Sequence, residues 1–374
     1  MLKTAVLDDI NAIRQIDKSD MLSVIVNSTR HHRQATKLAQ KVEIDYDRPR
    51  AIIIAGMGGS GIGGELLKDW ARNRISIPVE VCREYSLPKY ADKDTLVIIN
   101  SYSGETEESL SVLLDAVKRK CKIACVASGG ALLNFAGKLD LPYVQVPSGM
   151  PPRAALLYLF MPLLIMLEKI GLIRGLDEES SEAFRVIKKV CAQNSPDKPV
   201  NNNFAKTFAF QICGTVPVVY GFGIYRSAAQ RMKCQFNENS KIPAKWEYFS
   251  ELNHNEVVGW ENPGRLAKDF SAIFIRDENE PDQMHRRIET TKTLLPKSMK
   301  SYEIHSAGKN SLAKMLSVVC IGDFASVYLA ILRRVDPTPV KTITLLKKKL
   351  EESGLRKKIV SKLTRIAPAD PSSS

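Results

Sequence analysis

The sequence predicts an α/β protein of two tandem doubly wound domains, each a central parallel sheet flanked by helices. Three observations predict it. Short continuous apolar runs that end in glycine, Ala51-Ile-Ile-Ile-Ala-Gly56 and Val216-Pro-Val-Val-Tyr-Gly221, read as strands buried on both faces. Further runs of this kind alternate with helical stretches, giving the order β-α-β-α. After a polar stretch from Ala192 to Asn203 the pattern restarts, as in a degenerate internal duplication. A chain of 374 residues, 44% hydrophobic and 25% charged, is long enough for two cores of roughly 150 residues each.

Residues 1–39 are expected to form an N-terminal helical cap, because Leu7, Ile10, Ile13 and Ile16 share one helix face. The first domain is expected over 40–190, with strands at Ala51, Val79-Glu-Val-Cys82, Thr95-Leu-Val-Ile-Ile-Asn100, Ile123 and Tyr143. The apolar run Ala154 to Leu167 contains Pro162 and stops at Glu168 and Lys169, short of the roughly 20 residues that span a bilayer. It is expected as a buried helix and not as a membrane anchor. The second domain is expected over 203–355, with strands at Val216, Phe270 and Tyr302, a long helix near 311–333 and a C-terminal helix; residues 366–374 read as a disordered tail.

The net charge of +13 raises a nucleic-acid partner. Between Lys341 and Arg365, however, there are nine Lys or Arg against Glu351 and Glu352, and no aromatic residue interleaves them. The run reads as a solvated helix face whose field also attracts anionic substrates. The N-terminus has acids where a secretory leader needs an apolar stretch, so a cytoplasmic protein is expected. The seven cysteines include only Cys121 and Cys125 at close spacing, which is neither a CxxC motif nor a zinc pattern, so reduced thiols and no metal are expected.

Gly56-Met-Gly-Gly-Ser-Gly follows the first buried strand and precedes an amphipathic helix. Glycines there let backbone approach a ligand, and the helix N-terminus offers free N–H groups to an anion, with Gly59 and Ser60 as candidates. Gly56, Gly58 and Gly61 also satisfy the dinucleotide-binding pattern, and Glu80 and Glu84 keep that reading open. The third strand ends in Ser101-Tyr-Ser-Gly-Glu-Thr106, three hydroxyls at a strand-to-helix turn. Ser101, Ser103 and Thr106 with the helix amides make a phosphate-monoester site that needs no metal. The plain alternative is helix capping by a hydroxyl, with Glu105 or Glu107 completing a capping box.

Together, Gly-Met-Gly-Gly-Ser-Gly and Ser-Tyr-Ser-Gly-Glu-Thr resemble the first sugar isomerase (SIS) domain of the bifunctional phosphoglucose/phosphomannose isomerases. Further elements continue the resemblance in order from about residue 40 to 352. Pro147-Ser-Gly-Met-Pro-Pro-Arg153 leads into the apolar helix, where a cation opposes the helix dipole unless an anion offsets it. The resemblance implies that Arg153 stabilises an enediolate, against the alternative of an exposed or ion-paired arginine. It further implies that Glu238, in Asn-Glu-Asn, moves a proton between C1 and C2. His254, 16 residues later and one of five histidines, is implied to open the pyranose ring, and its neighbours Asn253 and Asn255 are candidates to orient it.

Lys347, in Ile-Thr-Leu-Leu-Lys, is the positional match to a lysine that in the family assists ring opening; Lys341 is the fallback, and Thr338 is a candidate, not carried over by its spacing, for a hydroxyl that the family links to tolerance of the mannose epimer. The implied partners are hexose 6-phosphates, with no cofactor, no nucleic acid and no membrane, and the resemblance implies a homodimer. The rivals are a metal-dependent isomerase, which needs clustered histidines, and an amidotransferring synthase, which needs an N-terminal nucleophile domain. A non-catalytic sugar-phosphate sensor would need a DNA-binding segment in front, and only about 40 residues precede the first strand.

Overall fold

The computed structural model describes residues 5–368, which form two compact units. One comprises Arg30–Leu176 and residues 340–368; the other comprises residues 5–29 and Asp177–Pro339. This division corrects the linear one expected from the sequence. The chain passes between units at residues 29, 176 and 339, so the helix Leu176–Asn194 groups with the second sheet and the C-terminal helices group with the first. The N-terminal cap is four short helices, of which Ala5–Asp8, Ile10–Ile16 and Met21–Val26 lie in the second-sheet unit.

In the first unit, β1 (Ala51–Ala55), β2 (Val79–Cys82), β3 (Thr95–Asn100), β4 (Lys122–Ala127) and β5 (Tyr143–Gln145) form a parallel sheet in the order β2-β1-β3-β4-β5. Every residue of β1 and β3 is buried, as continuous apolar runs require when helices cover both faces. Helices Gly58–Ala71, Glu107–Lys118, Gly130–Lys138 and Leu156–Lys169 connect and cover the strands. The last of these is buried from Leu156 to Leu167 despite Pro162, as expected for a core helix.

The C-terminal helix Leu355–Ile366 buries Ile359 and Leu363 in the same apolar cluster as Leu110, Leu113 and Phe135. That stripe is the physical reason it belongs to the first sheet and not to the second domain, and only its last residue, Ile366, falls within the tail expected over 366–374. Of that tail, residues 369–374 lie outside the described residues.

In the second unit, β6 (Val216–Gly221), β7 (Lys245–Tyr248), β8 (Phe270–Arg276) and β9 (Lys300–His305) form a parallel sheet in the order β7-β6-β8-β9. The edge strand β7 carries no apolar run and was not expected. Its Lys-Trp-Glu-Tyr is only partly buried, so the continuous-run signal of a central strand is absent. Helix Ser311–Leu332 is apolar all round and long enough to cross a membrane, but 89% of its apolar window is buried within the protein, which makes it a core helix.

Candidate active site

The C-terminal ends of β1 and β3 face the two motifs singled out in the sequence. Gly58 opens the first helix with φ +51°, a conformation that favours glycine. At Gly59 a Cβ would lie 2.7 Å from the backbone nitrogen of Arg153, so only glycine lets the turn approach the Pro152–Ala154 segment. Asn100, fully buried at the end of β3, ties the region together by donating its amide to Ser60 O at 2.9 Å and Leu159 O at 3.1 Å. Sequence reasoning passed over Asn100; a polar residue closing an otherwise apolar strand was the available signal. The Ser60 hydroxyl accepts from the Tyr102 amide at 3.0 Å, joining the two turns directly.

The hydroxyls of Ser101 and Thr106 lie 2.7 Å apart across their turn. Thr106 stands at the N-cap of helix Glu107–Lys118 but makes no side-chain cap hydrogen bond, so helix capping does not explain it. Met57, at the cap of helix Gly58–Ala71, makes none either. Both helix N-termini therefore keep amides that no capping side chain satisfies, beside hydroxyls already turned inward. Ser103 is exposed, and its Oγ accepts from the Glu105 amide at 3.3 Å.

Arg153 is 3% exposed. It sits in the 3-10 turn Pro152–Ala154 just ahead of helix Leu156–Lys169, and burial removes the reading as a solvated arginine. A buried guanidinium is costly unless anions or hydrogen-bond acceptors offset it. Tyr102 shapes the approach: its hydroxyl donates to Pro147 O at 2.9 Å and accepts from the Met150 amide at 3.0 Å. Burial pushes that phenol above its ordinary value, so it stays a neutral hydrogen-bonding group at physiological pH. Thus Gly59, Ser60, Ser101, Thr106 and Arg153 gather at one end of the first sheet.

Lys347 belongs to the same unit, on helix Lys341–Glu351, where it and the fallback Lys341 are exposed. Neither makes a described hydrogen bond or ion pair. Thr338, in the other unit, is half-buried and its amide donates to Asp336 Oδ1 at 3.0 Å.

Glu238 and His254 lie in the second unit. Glu238 is the last residue of helix Arg226–Glu238, half-buried, and shares a helix face with Arg231 and Gln235. Both of those side chains bind Asp323 on helix Ser311–Leu332: Arg231 Nη2 at 2.7 Å and Nε at 3.0 Å, Gln235 Nε2 at 2.8 Å. Asn239 continues the clamp by donating to Ser326 Oγ at 2.9 Å. Lys241 caps the end through the Glu238 carbonyl. The Glu238 backbone is accordingly held from both sides of its helix terminus.

His254 closes the short 3-10 turn Glu251–His254 and is exposed. Its flanking asparagines do not orient it, contrary to expectation. Asn253 donates to Thr291 Oγ1 at 2.8 Å and accepts from Arg287 at 3.1 Å, while Asn255 donates to Glu251 Oε1 at 2.7 Å. They satisfy the loop, since short polar side chains bond most readily to nearby groups. Among the described residues no group of three or more His, Cys, Asp or Glu side chains forms a metal-binding cluster.

Residues 201–350 match the family model described as the bacterial phospho-glucose isomerase C-terminal SIS domain. A bifunctional phosphoglucose/phosphomannose isomerase of Caldicellulosiruptor bescii is 39% identical over 339 residues, covering 89% of this chain and 99% of its own. The protein of that name from Aquifex aeolicus is 35% identical over 305 residues, 81% of this chain and 91% of its own. In fold, the chain is similar to a glucose-6-phosphate isomerase from Chlamydia trachomatis, with a TM-score of 0.67 at 12% identity over 86% of this chain and 73% of that one. Identity of this order along nearly the whole of a relative places the chain in the bifunctional phosphoglucose/phosphomannose isomerase family.

Proposed function

We propose that the protein interconverts fructose 6-phosphate with glucose 6-phosphate and mannose 6-phosphate through a cis-enediolate, without a metal. The observation that carries the reading is the convergence of Gly59, Ser101, Thr106 and buried Arg153 at one sheet end, where Thr106 leaves its helix uncapped. Hydroxyls and unsatisfied amides there suit a phosphate monoester, which carries about two negative charges. The similarity to named isomerases supports the reaction class.

In this reading the phosphate binds Gly59, Ser60, Ser101, Ser103 and Thr106. His254 and Lys347 open the ring by moving a proton between the ring oxygen and the C1 hydroxyl. The carboxylate of Glu238 then takes the proton from C2 of the open aldose and returns it to C1. Negative charge that builds on the oxygens of the enediolate is met by Arg153, an electrostatic contribution that needs no reorganisation when the cation is already fixed. Rotation about C2–C3 lets one base serve both epimers. The reading includes a cytoplasmic homodimer, which sizing at working concentration checks.

The test is incubation of the purified protein with fructose 6-phosphate and excess EDTA, with the two aldose phosphates quantified separately. Both products are expected. Glucose 6-phosphate alone would remove the dual specificity, and neither product would remove the reading.

A further inference from the structure

We propose that Arg356 is a positioning residue for the substrate phosphate: from the C-terminal helix it neutralises Glu105 and so sets the charge of the turn that receives the phosphate. This rests on the assignment of the Ser101–Thr106 turn to that group.

The turn is seated with little freedom. Gly104 has φ +66°, and a Cβ there would lie 1.9 Å from the Gly129 carbonyl oxygen. The next residue, Glu105, uses one carboxylate oxygen to accept from the Ala131 amide at 2.9 Å and the other to pair with Arg356 Nη2. Arg356 is the second residue of helix Leu355–Ile366, anchored by buried Ile359 and Leu363. Its Nε is buried and has no hydrogen-bond partner among the described residues.

Glu105 places a carboxylate one residue from Thr106 and two from Ser103, inside a motif that must attract a dianion. Alone it would repel that dianion. The pair is roughly two-fifths exposed, with side chains 39% and 38% accessible, and pairs of this kind add little to fold stability. Charge compensation explains it better than stability does. The backbone bond to Ala131 is the reason the carboxylate is retained: it holds the turn against helix Gly130–Lys138.

The measurement is steady-state kinetics on fructose 6-phosphate. Arg356→Met should raise KM about 5- to 10-fold at low salt with kcat changed less than about twofold, and added salt should shrink the difference because exposed charges are screened. The double variant Arg356→Met/Glu105→Gln should return KM towards the wild-type value, since it removes the uncompensated charge although the tether is also gone. Unchanged KM in Arg356→Met, or a double variant no better than the single one, overturns the proposal. A merely structural tether would lower kcat and melting temperature together and would not recover in the double variant.

Should Arg356→Met fail to fold, Glu105→Gln alone decides: KM at or below the wild-type value supports the proposal, and a raised KM overturns it. Failure of the underlying phosphate assignment reads differently, as Ser101→Ala/Thr106→Val leaving KM unchanged.

Discussion

At the end of β3 the chain passes from Asn100 into Ser101; at the corresponding end of β8, likewise placed between the first strand of its sheet and the strand that follows it in the chain, it passes from Arg276 into Asp277. In the first case a hydroxyl faces Thr106 across an uncapped helix terminus. In the second a carboxylate occupies the slot. Asp277 accepts from Lys314 Nζ at 2.6 Å and from the Tyr225 hydroxyl at 2.5 Å, and that hydroxyl lies 2.8 Å from Ser306 Oγ. Burial alone would raise the Asp277 carboxyl, but the bonds from Lys314 and Tyr225 outweigh it and hold the group below its ordinary value of 3.8.

The same topology therefore serves two ends. The first sheet leaves donors open to an anion, whereas the second supplies its own anion and its own cation. Closing the second sheet in this way fixes the turn Gly223–Tyr225, which opens the helix that carries Glu238. In the proposed reading, the first half binds the phosphate and the second holds the base.

Glu238→Gln gives the largest expected effect on this comparison. Turnover should fall by about 10²- to 10⁴-fold, the usual contribution of a positioned general base, with KM for fructose 6-phosphate little changed. An equal rise in KM would mean that the second unit also binds the phosphate. Asp277→Asn comes next: it strands the Lys314 ammonium, and breaking a buried pair costs about 3 kcal/mol. Chemical denaturation should register that loss while KM stays at the wild-type value.

Acid should separate the units further. Burial lowers His32, on helix Ser28–Gln40, from 6.5 to about 4. The folded state keeps this imidazole neutral, so its contribution is complete above pH 6.5 and is lost as pH falls towards 4. About 2 kcal/mol should be gone at pH 5, and His32→Gln should flatten that slope in a melting series. The lowered Asp277 carboxyl works the same way in a lower window, and its contribution begins to fall only near pH 3.8. The smallest effect is expected from Ser101→Ala alone, a rise in KM of about 10-fold, the loss of one hydrogen bond to a charged group.

How much of this was legible in the sequence depends on how local the signal is. Fully buried strands such as β1 and β3 announce themselves as apolar runs, and the turns after them carry glycines and hydroxyls within six residues. Arg153 was legible from its place before an apolar helix, although its burial was not. Edge strand β7 was missed because half-exposed residues do not form a run. The Asp277–Lys314 pair and the Arg356–Glu105 pair were invisible for another reason: their partners are 37 and 251 positions apart, and nothing in a single sequence links them. The crossing of the chain between units likewise depends on which apolar stripe the C-terminal helix finds, a tertiary matter that its amphipathic pattern leaves open.

The account stands most directly on where and how often the protein binds a hexose phosphate, which calorimetric titration with glucose 6-phosphate measures on the wild type, Asp277→Asn and Gly59→Val. The account predicts one site per chain in the first two and none in Gly59→Val, whose side chain would meet the Arg153 backbone nitrogen at 2.7 Å. Two sites per chain, or binding that survives Gly59→Val and is lost in Asp277→Asn, would contradict it.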